Sequence, residues 1–389
     1  MIVFLFLILI GGVFLWADFQ GPEKVSLKPV HSFGFMAEKA KDLLVQEFDH
    51  QGHLWATRGF TIYRLKTGEK AFTRISRIPV GRSVFWLQNF SLIRALTAKT
   101  ECLEMVVSAD GRICAFAAGH LYFQDDRDKR FRPALKLVHF GWGVGRGILN
   151  SGILRTSRNR LFVGEYFRNE KRAHVKIFRS DDFGASWSVA HEFGPGEIRH
   201  IHSLQQDPYT DRLWVCTGDT HGESMIGWSD DEYKTIHPLG KGSQLYRTCR
   251  LVFSGDAIYW GADTGLESCS GIYSWNKVRG ELTRLKRIQG AVLQGTRLRE
   301  GTIVMGTDRE GFPNEQDDSV RLFIISGEHI LSAIECGTWK NKRPGFRFRF
   351  AKVRFQRNQD SNWLAANFIN QKEVRDGDLF FISEALLKS

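Results

Sequence analysis

The sequence has little proline, and none of its cysteines forms a C-x-x-C pair. Its 389 residues include only nine prolines but 38 glycines, and 13% are aromatic. This composition fits short strands joined by tight turns better than a helical bundle. The cysteines stand singly, at Cys102, Cys114, Cys216, Cys249, Cys269 and Cys336. We therefore expect no cysteine-based zinc site; buried free thiols are expected, with one or two disulfides as the alternative after export.

Positive charge is absent from the first 17 residues. Residues 1–17 are almost wholly apolar, and the first charged side chain is Asp18. The run is shorter than the ~20 residues that a membrane-spanning helix needs, so it predicts a signal peptide or a short membrane anchor. Leu15-Trp16-Ala17 is a poor cleavage site, which leaves cleavage and anchoring both open. A lipoprotein is not expected, because there is no cysteine near position 20 to carry the lipid. The expected location is exported: periplasmic, extracellular or membrane-anchored.

Acidic residues are outnumbered by basic ones. There are 54 lysines and arginines against 43 aspartates and glutamates, which gives a formal charge of +11. A basic surface favours a polyanionic partner such as an acidic polysaccharide, anionic lipid or nucleic acid. Nucleic acid is not expected, because no groove-reading motif is visible and the leader predicts export. Arg347 and Arg349 alternate with phenylalanines, which predicts either a solvated strand edge or a polyanion track.

A short β-rich run recurs seven times at intervals of roughly 45 to 60 residues, the spacing of four-stranded propeller blades. The runs are Leu54–Thr57, Ile113–Phe116, Leu161–Gly164, Leu213–Cys216, Ile258–Gly261, Ile303–Gly306 and Trp363–Ala366. No linker or low-complexity segment divides them. The sequence predicts an all-β fold: one β-propeller domain over residues 18–389, with seven blades, or six as the alternative. The seventh unit lacks a fourth strand, which we expect an N-terminal strand at Pro29–Phe33 to supply, closing the ring.

One segment, Ser180–Trp187, contains the nearly complete pattern S-x-D-x-G-x-S-W. It resembles the Asp-box of BNR-repeat, sialidase-like β-propellers. In that family the box is a structural turn at the blade periphery, so the resemblance implies architecture and not an activity. The segment is expected to form the turn between the third and fourth strands of the third unit.

Propeller geometry brings distant polar residues together, because inner-strand starts and second-strand ends lie at the same mouth of the channel. The densest candidates surround His200 and His202, which on a strand project to one face. The predicted catalytic residues are Tyr166, His200, His202 and Arg247. The predicted substrate-binding residues are Arg58, Glu165, Arg199, Asp219, His221 and Asp263.

These residue types allow several chemistries. A lyase acting on a uronic acid needs its carboxylate neutralised by Arg247 or Arg199, and a base and an acid for the two proton transfers. The base would be His200 or His202, and the acid Tyr166. A hydrolase would need two facing carboxylates, Glu165 with Asp219 or Asp263.

Cofactors are left open as well. No metal or other cofactor is assigned, although His200 and His202 with His221 could hold a divalent metal ion. The expected function is an exported, monomeric, carbohydrate-active propeller that acts on an acidic polysaccharide or oligosaccharide as lyase or glycoside hydrolase. The alternative is a non-catalytic glycan-binding or scaffold propeller accessory to exopolysaccharide assembly.

Overall fold

The computed structural model describes residues 21–81, 101–141, 144–340, 350–357 and 361–388. The leader at residues 1–17 and both Arg347 and Arg349 lie outside the described residues. Within the described ranges, no helix is long and apolar enough to cross a membrane. The helical elements there include a 3₁₀ turn, Gln244–Tyr246, and a short α-helix, Glu384–Lys388.

The described strands form eight antiparallel sheets, seven of which have four or five strands and are numbered 1 to 7 here, one for each predicted unit. From the innermost strand outwards, sheet 1 contains Leu44–Phe48, Leu54–Arg58, Thr61–Leu65, Ala71–Arg77 and Lys24–Ser26. In the same order, sheet 2 contains Cys102–Val107, Ile113–Ala117, His120–Gln124 and Phe131–Lys136. Sheet 3 contains Ile153–Arg155, Leu161–Gly164, Val175–Ser180 and Ser188–Phe193. Sheet 4 contains His200–Gln206, Leu213–Gly218, Met225–Ser229 and His237–Lys241. Sheet 5 contains Leu251–Phe253, Ala257–Gly261, Gly271–Asn276 and Glu281–Arg287. Sheet 6 contains Ala291–Arg297, Ile303–Asp308, Ser319–Ser326 and His329–Thr338. Sheet 7 contains Lys352–Phe355, Trp363–Ile369, Leu379–Ser383, Phe35–Ala40 and Lys28–Ser32. A small three-stranded sheet contains Phe140–Gly141, Gly145–Gly147 and Tyr166–Phe167.

The core lies in layers between neighbouring sheets. Strands near the channel are buried on both faces, as Cys102–Val107 is, whereas an outer strand such as Glu281–Arg287 is largely exposed. Glycines near the ends of second strands let the next sheet approach closely: a Cβ at Gly261 would overlap Val292, and one at Gly306 would overlap Val353. The all-β propeller prediction is therefore confirmed, and apolar side chains between sheets hold the architecture together.

An N-terminal strand closes the ring, as predicted, but it is not the strand that the sequence suggested. Phe35–Ala40 pairs with Leu379–Ser383 as the fourth strand of sheet 7, and the predicted segment at Pro29–Phe33 falls mainly on the strand outside it. That prediction was wrong by one hairpin, because Phe33 and Gly34 turn the chain with positive φ angles of 59° and 87°. Pro29, which has no N–H to donate, suits the outermost strand.

The Ser180–Trp187 segment forms the turn between the third and fourth strands of sheet 3. Asp182 is its centre: the carboxylate accepts hydrogen bonds from the Ser186 backbone N–H at 2.8 Å, the Ser186 hydroxyl at 2.6 Å and the Ser180 hydroxyl at 2.8 Å. The Ser180 hydroxyl oxygen in turn accepts from the Gly184 N–H at 2.7 Å. The turn thus satisfies its own backbone donors at the sheet periphery.

Sheet 4 repeats this hydrogen-bonded frame without the full motif. Asp231 accepts from the Thr235 N–H at 2.9 Å and from the Ser229 hydroxyl at 2.8 Å, and Ser229 accepts from the Tyr233 N–H at 2.8 Å. Tyr233 occupies the place of the glycine with a φ of 68°, and its hydroxyl donates to the Trp214 carbonyl oxygen at 2.9 Å. A positive φ costs free energy at a residue other than glycine. The burial of Tyr233 and its hydroxyl hydrogen bond offset that cost.

We predict that Asp182→Ala lowers the free energy of unfolding by about 1–2 kcal/mol, because three donors in the turn lose their acceptor. Asp181→Ala is the matched control: the Asp181 carboxylate is largely exposed and ion-paired with Arg179 and Arg160, so the loss should stay below about 0.5 kcal/mol. Urea unfolding followed by tryptophan fluorescence measures both. Equal losses in the two variants would contradict the role given to Asp182.

Candidate functional site

Two histidines lie at the start of the inner strand of sheet 4, where the strand contains a β-bulge. His200 pairs with Gly218 of the second strand, and the register shifts between Ile201 and Ser203, so that His202 is the extra residue. A bulge re-aims the side chain that it carries. The bulge therefore contributes to the convergence of the two imidazoles at the channel mouth.

A glycine leaves room for the His202 ring. A Cβ at Gly218 would lie 2.7 Å from Cε1 of His202 and 3.2 Å from Cγ of Arg247. The rings are closely surrounded, since His200 is 3% and His202 1% exposed. Close packing of this kind fixes the orientation of both imidazoles.

The Nε2 atoms of both imidazoles converge on one carboxylate. They lie 3.2 Å from each other, and Oδ1 of Asp219 lies 3.3 Å from Nε2 of His200 and 3.2 Å from Nε2 of His202. The other ring nitrogens face backbone oxygens: Nδ1 of His200 lies 2.8 Å from the Phe167 oxygen, and Nδ1 of His202 lies 3.2 Å from that of Thr248. A carbonyl oxygen only accepts, so each Nδ1 is the donor in its contact.

Asp219 joins the histidines to two arginines. Its Oδ2 accepts a hydrogen bond from Nη1 of Arg199 at 2.8 Å, and its Oδ1 lies 3.5 Å from Nη2 of Arg247. Burial alone would raise the pKa of Asp219, but its contacts with His200 and His202 outweigh that effect and hold the pKa well below its usual range. Burial lowers the pKa of His200. Asp219 is thus ionised, and His200 neutral, at neutral pH.

Tyr166 covers the histidine pair from the three-stranded sheet. Its ring centroid lies 4.1 Å from that of His200, with the planes inclined by 33°. Burial raises the pKa of Tyr166, and the negative charge of Asp219 raises it further. The phenol is therefore protonated at neutral pH.

A second group adjoins the first on the side of sheet 5. Arg247 forms an ion pair with Asp263, with 3.2 Å between Nε and Oδ2. Cys249 places its Sγ 3.6 Å from the same Oδ2 and 3.8 Å from Nδ1 of His202. Burial raises the pKa of the Cys249 thiol, so it is protonated at neutral pH. All six cysteines are free in the structure.

The structure brings seven of the ten predicted site residues together. They are Tyr166, Arg199, His200, His202, Asp219, Arg247 and Asp263. The side chains of the other three have other partners or face solvent. Arg58 forms an ion pair with Asp42 at 2.8 Å, Oε2 of Glu165 accepts the Lys176 N–H at 2.9 Å, and His221 is exposed.

The suggested three-histidine metal set is therefore not assembled. His221 belongs to neither of the metal-capable groups found among the described residues, which are His200–His202–Asp219 and His202–Cys249–Asp263. Sequence reasoning missed Gly218 and Cys249. Cys249 follows Arg247 by two residues, a spacing that places neighbouring side chains on one face of an extended chain.

We predict that Gly218→Ala displaces the His202 ring, because the added methyl group would overlap it. Gly222→Ala is the matched control, since a Cβ there meets nothing within 4 Å. Histidine side-chain NMR should show shifted His202 resonances in the first variant and unchanged ones in the second. Unchanged resonances in both would show that the ring is not confined by Gly218.

Glu310, at the mouth beside sheet 6, provides a prediction about pH. Burial raises its pKa from 4.5 to about 7, and repulsion from Asp263 adds to this, against the opposing charges of Lys352 and Arg247. Because the folded protein holds the Glu310 proton more tightly than the unfolded chain does, the protonated carboxyl group stabilises the fold. This contribution to the free energy of unfolding is complete below pH 4.5 and is lost as the pH rises through 7. Glu310→Gln should therefore raise the free energy of unfolding by on the order of 1–3 kcal/mol at pH 8 and hardly at all at pH 5.

Urea unfolding at the two pH values measures this difference. Glu267→Gln is the control, because that carboxylate is 76% exposed. An equal effect of Glu310→Gln at both pH values would contradict the raised pKa.

Comparisons with known proteins identify the architecture. No family model matches the sequence, and no curated protein matches it significantly; membership of the BNR-repeat family stays a prediction. An oligogalacturonate lyase solved in complex with manganese is similar over 94% of this chain and 98% of its own, with a TM-score of 0.57 and 13% identity. A chain of a mitotic checkpoint complex (94% and 95% covered, TM-score 0.51, 12% identity) and U3-55K (92% and 98%, 0.50, 10%) are also similar. At these identities the likeness shows the fold alone: an all-β propeller.

Proposed function

We propose that the protein binds an acidic oligosaccharide or polysaccharide at the channel mouth and cleaves it, by elimination next to a uronic acid. The observation that carries this proposal is the convergence of Tyr166, His200, Arg199 and Arg247 around Asp219. Scattered residues would have favoured the scaffold alternative. The similarity to an oligogalacturonate lyase agrees with the proposal but does not carry it.

The two arginines supply carboxylate recognition. Arg199 uses Nε and Nη1 in its contacts with the Arg168 carbonyl oxygen and Asp219, and its Nη2 group takes no part in those two bonds. Arg247 meets Asp219 and Asp263 through Nη2 and Nε, which leaves Nη1 outside those two contacts. Their side chains are 26% and 19% exposed. A planar guanidinium fork suits a uronate carboxylate.

Tyr166 is the proton donor in this proposal. Its raised pKa keeps the phenol protonated at neutral pH, as the departing glycosidic oxygen requires. The base is His200 or His202: with Nδ1 donating to a carbonyl oxygen, each ring in its neutral, metal-free form has an unprotonated Nε2 that takes the proton next to the uronate carboxylate.

The positions and partners of the carboxylates favour elimination over hydrolysis. A hydrolase needs two carboxyl groups that face each other across the scissile bond. The Glu165 side chain is turned to the Lys176 backbone, and Asp219 is held ionised by its histidine and arginine neighbours. Burial raises the pKa values of Glu165 and Asp263, but Asp263 is ion-paired with Arg247, so neither predicted pair presents two free carboxyl groups to a scissile bond.

The proposal is tested by incubating the full chain with uronate-containing polymers and their oligosaccharides, with a neutral glucan as control. Ultraviolet absorbance follows the unsaturated product, and a reducing-end assay detects hydrolysis. Absorbance should rise with at least one acidic glycan. Binding without either product would support the non-catalytic alternative, and reducing ends without absorbance would support a hydrolase. Neither binding nor cleavage of any acidic glycan would overturn the proposal.

We predict that Tyr166→Phe lowers kcat by about 100-fold or more with little change in KM, because it removes the proton donor and keeps the ring against His200. Tyr209→Phe is the matched control, since Tyr209 is exposed and lies at the end of sheet 4 where the inner strand finishes. Steady-state kinetics on the cleaved glycan measure both variants. An unchanged kcat in Tyr166→Phe would remove this tyrosine from the chemistry.

Export is part of the proposal and is supported by the apolar leader at residues 1–17. An extracytoplasmic protein would meet polysaccharide directly. Cell fractionation with N-terminal sequencing of the mature chain tests both export and cleavage, and recovery of the uncleaved chain from the cytoplasm alone would contradict export.

A further inference from the structure

We propose that His200, His202 and Asp219 form a binding site for a divalent transition-metal ion. The donor atoms are the two Nε2 atoms and Oδ1, all within 3.3 Å of one another. This set differs from the three-histidine set expected from the sequence, because a carboxylate from the second strand takes the place of His221. The site goes beyond the proposed function, since metal binding is measurable without any glycan.

The spacing of the donor atoms fits one ion. Ligand atoms about 2.1 Å from a metal ion, at tetrahedral or octahedral angles, lie about 3.0–3.4 Å apart. The three separations here are 3.2, 3.3 and 3.2 Å. One ion can therefore bind all three atoms with little rearrangement.

Charge and protonation also favour a cation. Both Nδ1 atoms face carbonyl oxygens, so in the neutral rings the Nδ1 atoms carry the protons and both Nε2 atoms present lone pairs. The Asp219 carboxylate presents Oδ1 to both rings and accepts a hydrogen bond from Arg199 through Oδ2. Three acceptors at 3.2–3.3 Å from one another repel unless a proton or a metal ion lies among them. Two neutral imidazoles and a carboxylate are good ligands for a metal ion.

The surroundings of the cluster are those of a built metal site. Metal-binding histidines usually donate their second N–H to an oxygen, and ligating carboxylates are themselves hydrogen-bonded. Here the Phe167 and Thr248 oxygens orient the two rings, and Arg199 holds the second oxygen of Asp219 at 2.8 Å. Both histidines are almost fully buried, which limits competition from water.

Two imidazoles and one carboxylate suit Mn²⁺, Fe²⁺ or Zn²⁺. Three protein ligands leave coordination positions open, and Asp219 is 22% exposed at the mouth. A bound ion would add positive charge beside Arg199 and Arg247, where an acidic ligand could meet it. Arg247, 3.5 Å from Oδ1 of Asp219, opposes the ion electrostatically, so we expect moderate affinity.

The test uses the full chain, stripped with a chelator and dialysed, and then given Mn²⁺, Zn²⁺ or, without oxygen, Fe²⁺. Elemental analysis after gel filtration should find one ion per chain, and electron paramagnetic resonance should show loss of the free Mn²⁺ signal. His200→Gln and Asp219→Asn should each weaken binding at least tenfold. His221→Ala is the matched control, an exposed histidine two residues from Asp219, and should bind as the unmodified chain does.

Any of these results would overturn the proposal: no ion retained by the unmodified chain, unchanged binding in both ligand variants, or equal loss in His221→Ala. Because buried substitutions can impair folding, circular dichroism is recorded for each variant. Pulsed electron paramagnetic resonance of the Mn²⁺-loaded unmodified chain provides an independent measurement: coupling to two imidazole nitrogens is expected, and its absence overturns the site. If metal binds but no glycan is cleaved, the proposed function fails and the metal site stands.

Discussion

The structure depends on how the inner strands of neighbouring sheets are joined, because they do not pair with each other as a sheet. Their backbone groups still need partners in the buried centre. Long polar side chains provide them: Gln46 bonds the Met105 N–H at 3.1 Å, Glu104 bonds the Ser151 N–H at 2.7 Å, and Gln205 bonds the Leu251 N–H at 2.7 Å. Asn367 joins sheet 7 to sheet 1 in the same way, through the Val45 N–H at 2.8 Å.

Arginine completes this network across the channel. Arg354 of sheet 7 donates to the Val45 oxygen of sheet 1 at 3.1 Å and to the Leu103 oxygen of sheet 2 at 2.8 Å, and it also reaches Asn150 at 3.1 Å. Its planar fork can satisfy several carbonyl oxygens at once. Buried polar groups therefore hydrogen-bond the sheets to one another around the channel. The polar residues of the candidate site lie instead at the channel mouth.

The candidate site follows from the same arrangement. Sheet 4 supplies His200 and Asp219, sheet 5 supplies Arg247, and Tyr166 arrives from the small sheet beside sheet 3. Because these groups come from neighbouring sheets, the cluster forms only when those sheets pack against one another. The cluster holds an ionised carboxylate, a neutral histidine and a protonated phenol within a few ångströms, and such perturbed groups support the proposed site.

The sequence by itself determined the β-propeller class, the order of the strands and the place of the Ser180–Trp187 turn, since repeated apolar runs and turn residues are local signals. It also indicated His200 and His202, because strand alternation is local. Only the tertiary structure decided that Asp219 and not His221 meets these rings, and that Phe35–Ala40 and not Pro29–Phe33 completes the last sheet. Both outcomes rest on loop paths and strand registers, which are set by contacts between residues far apart in the chain.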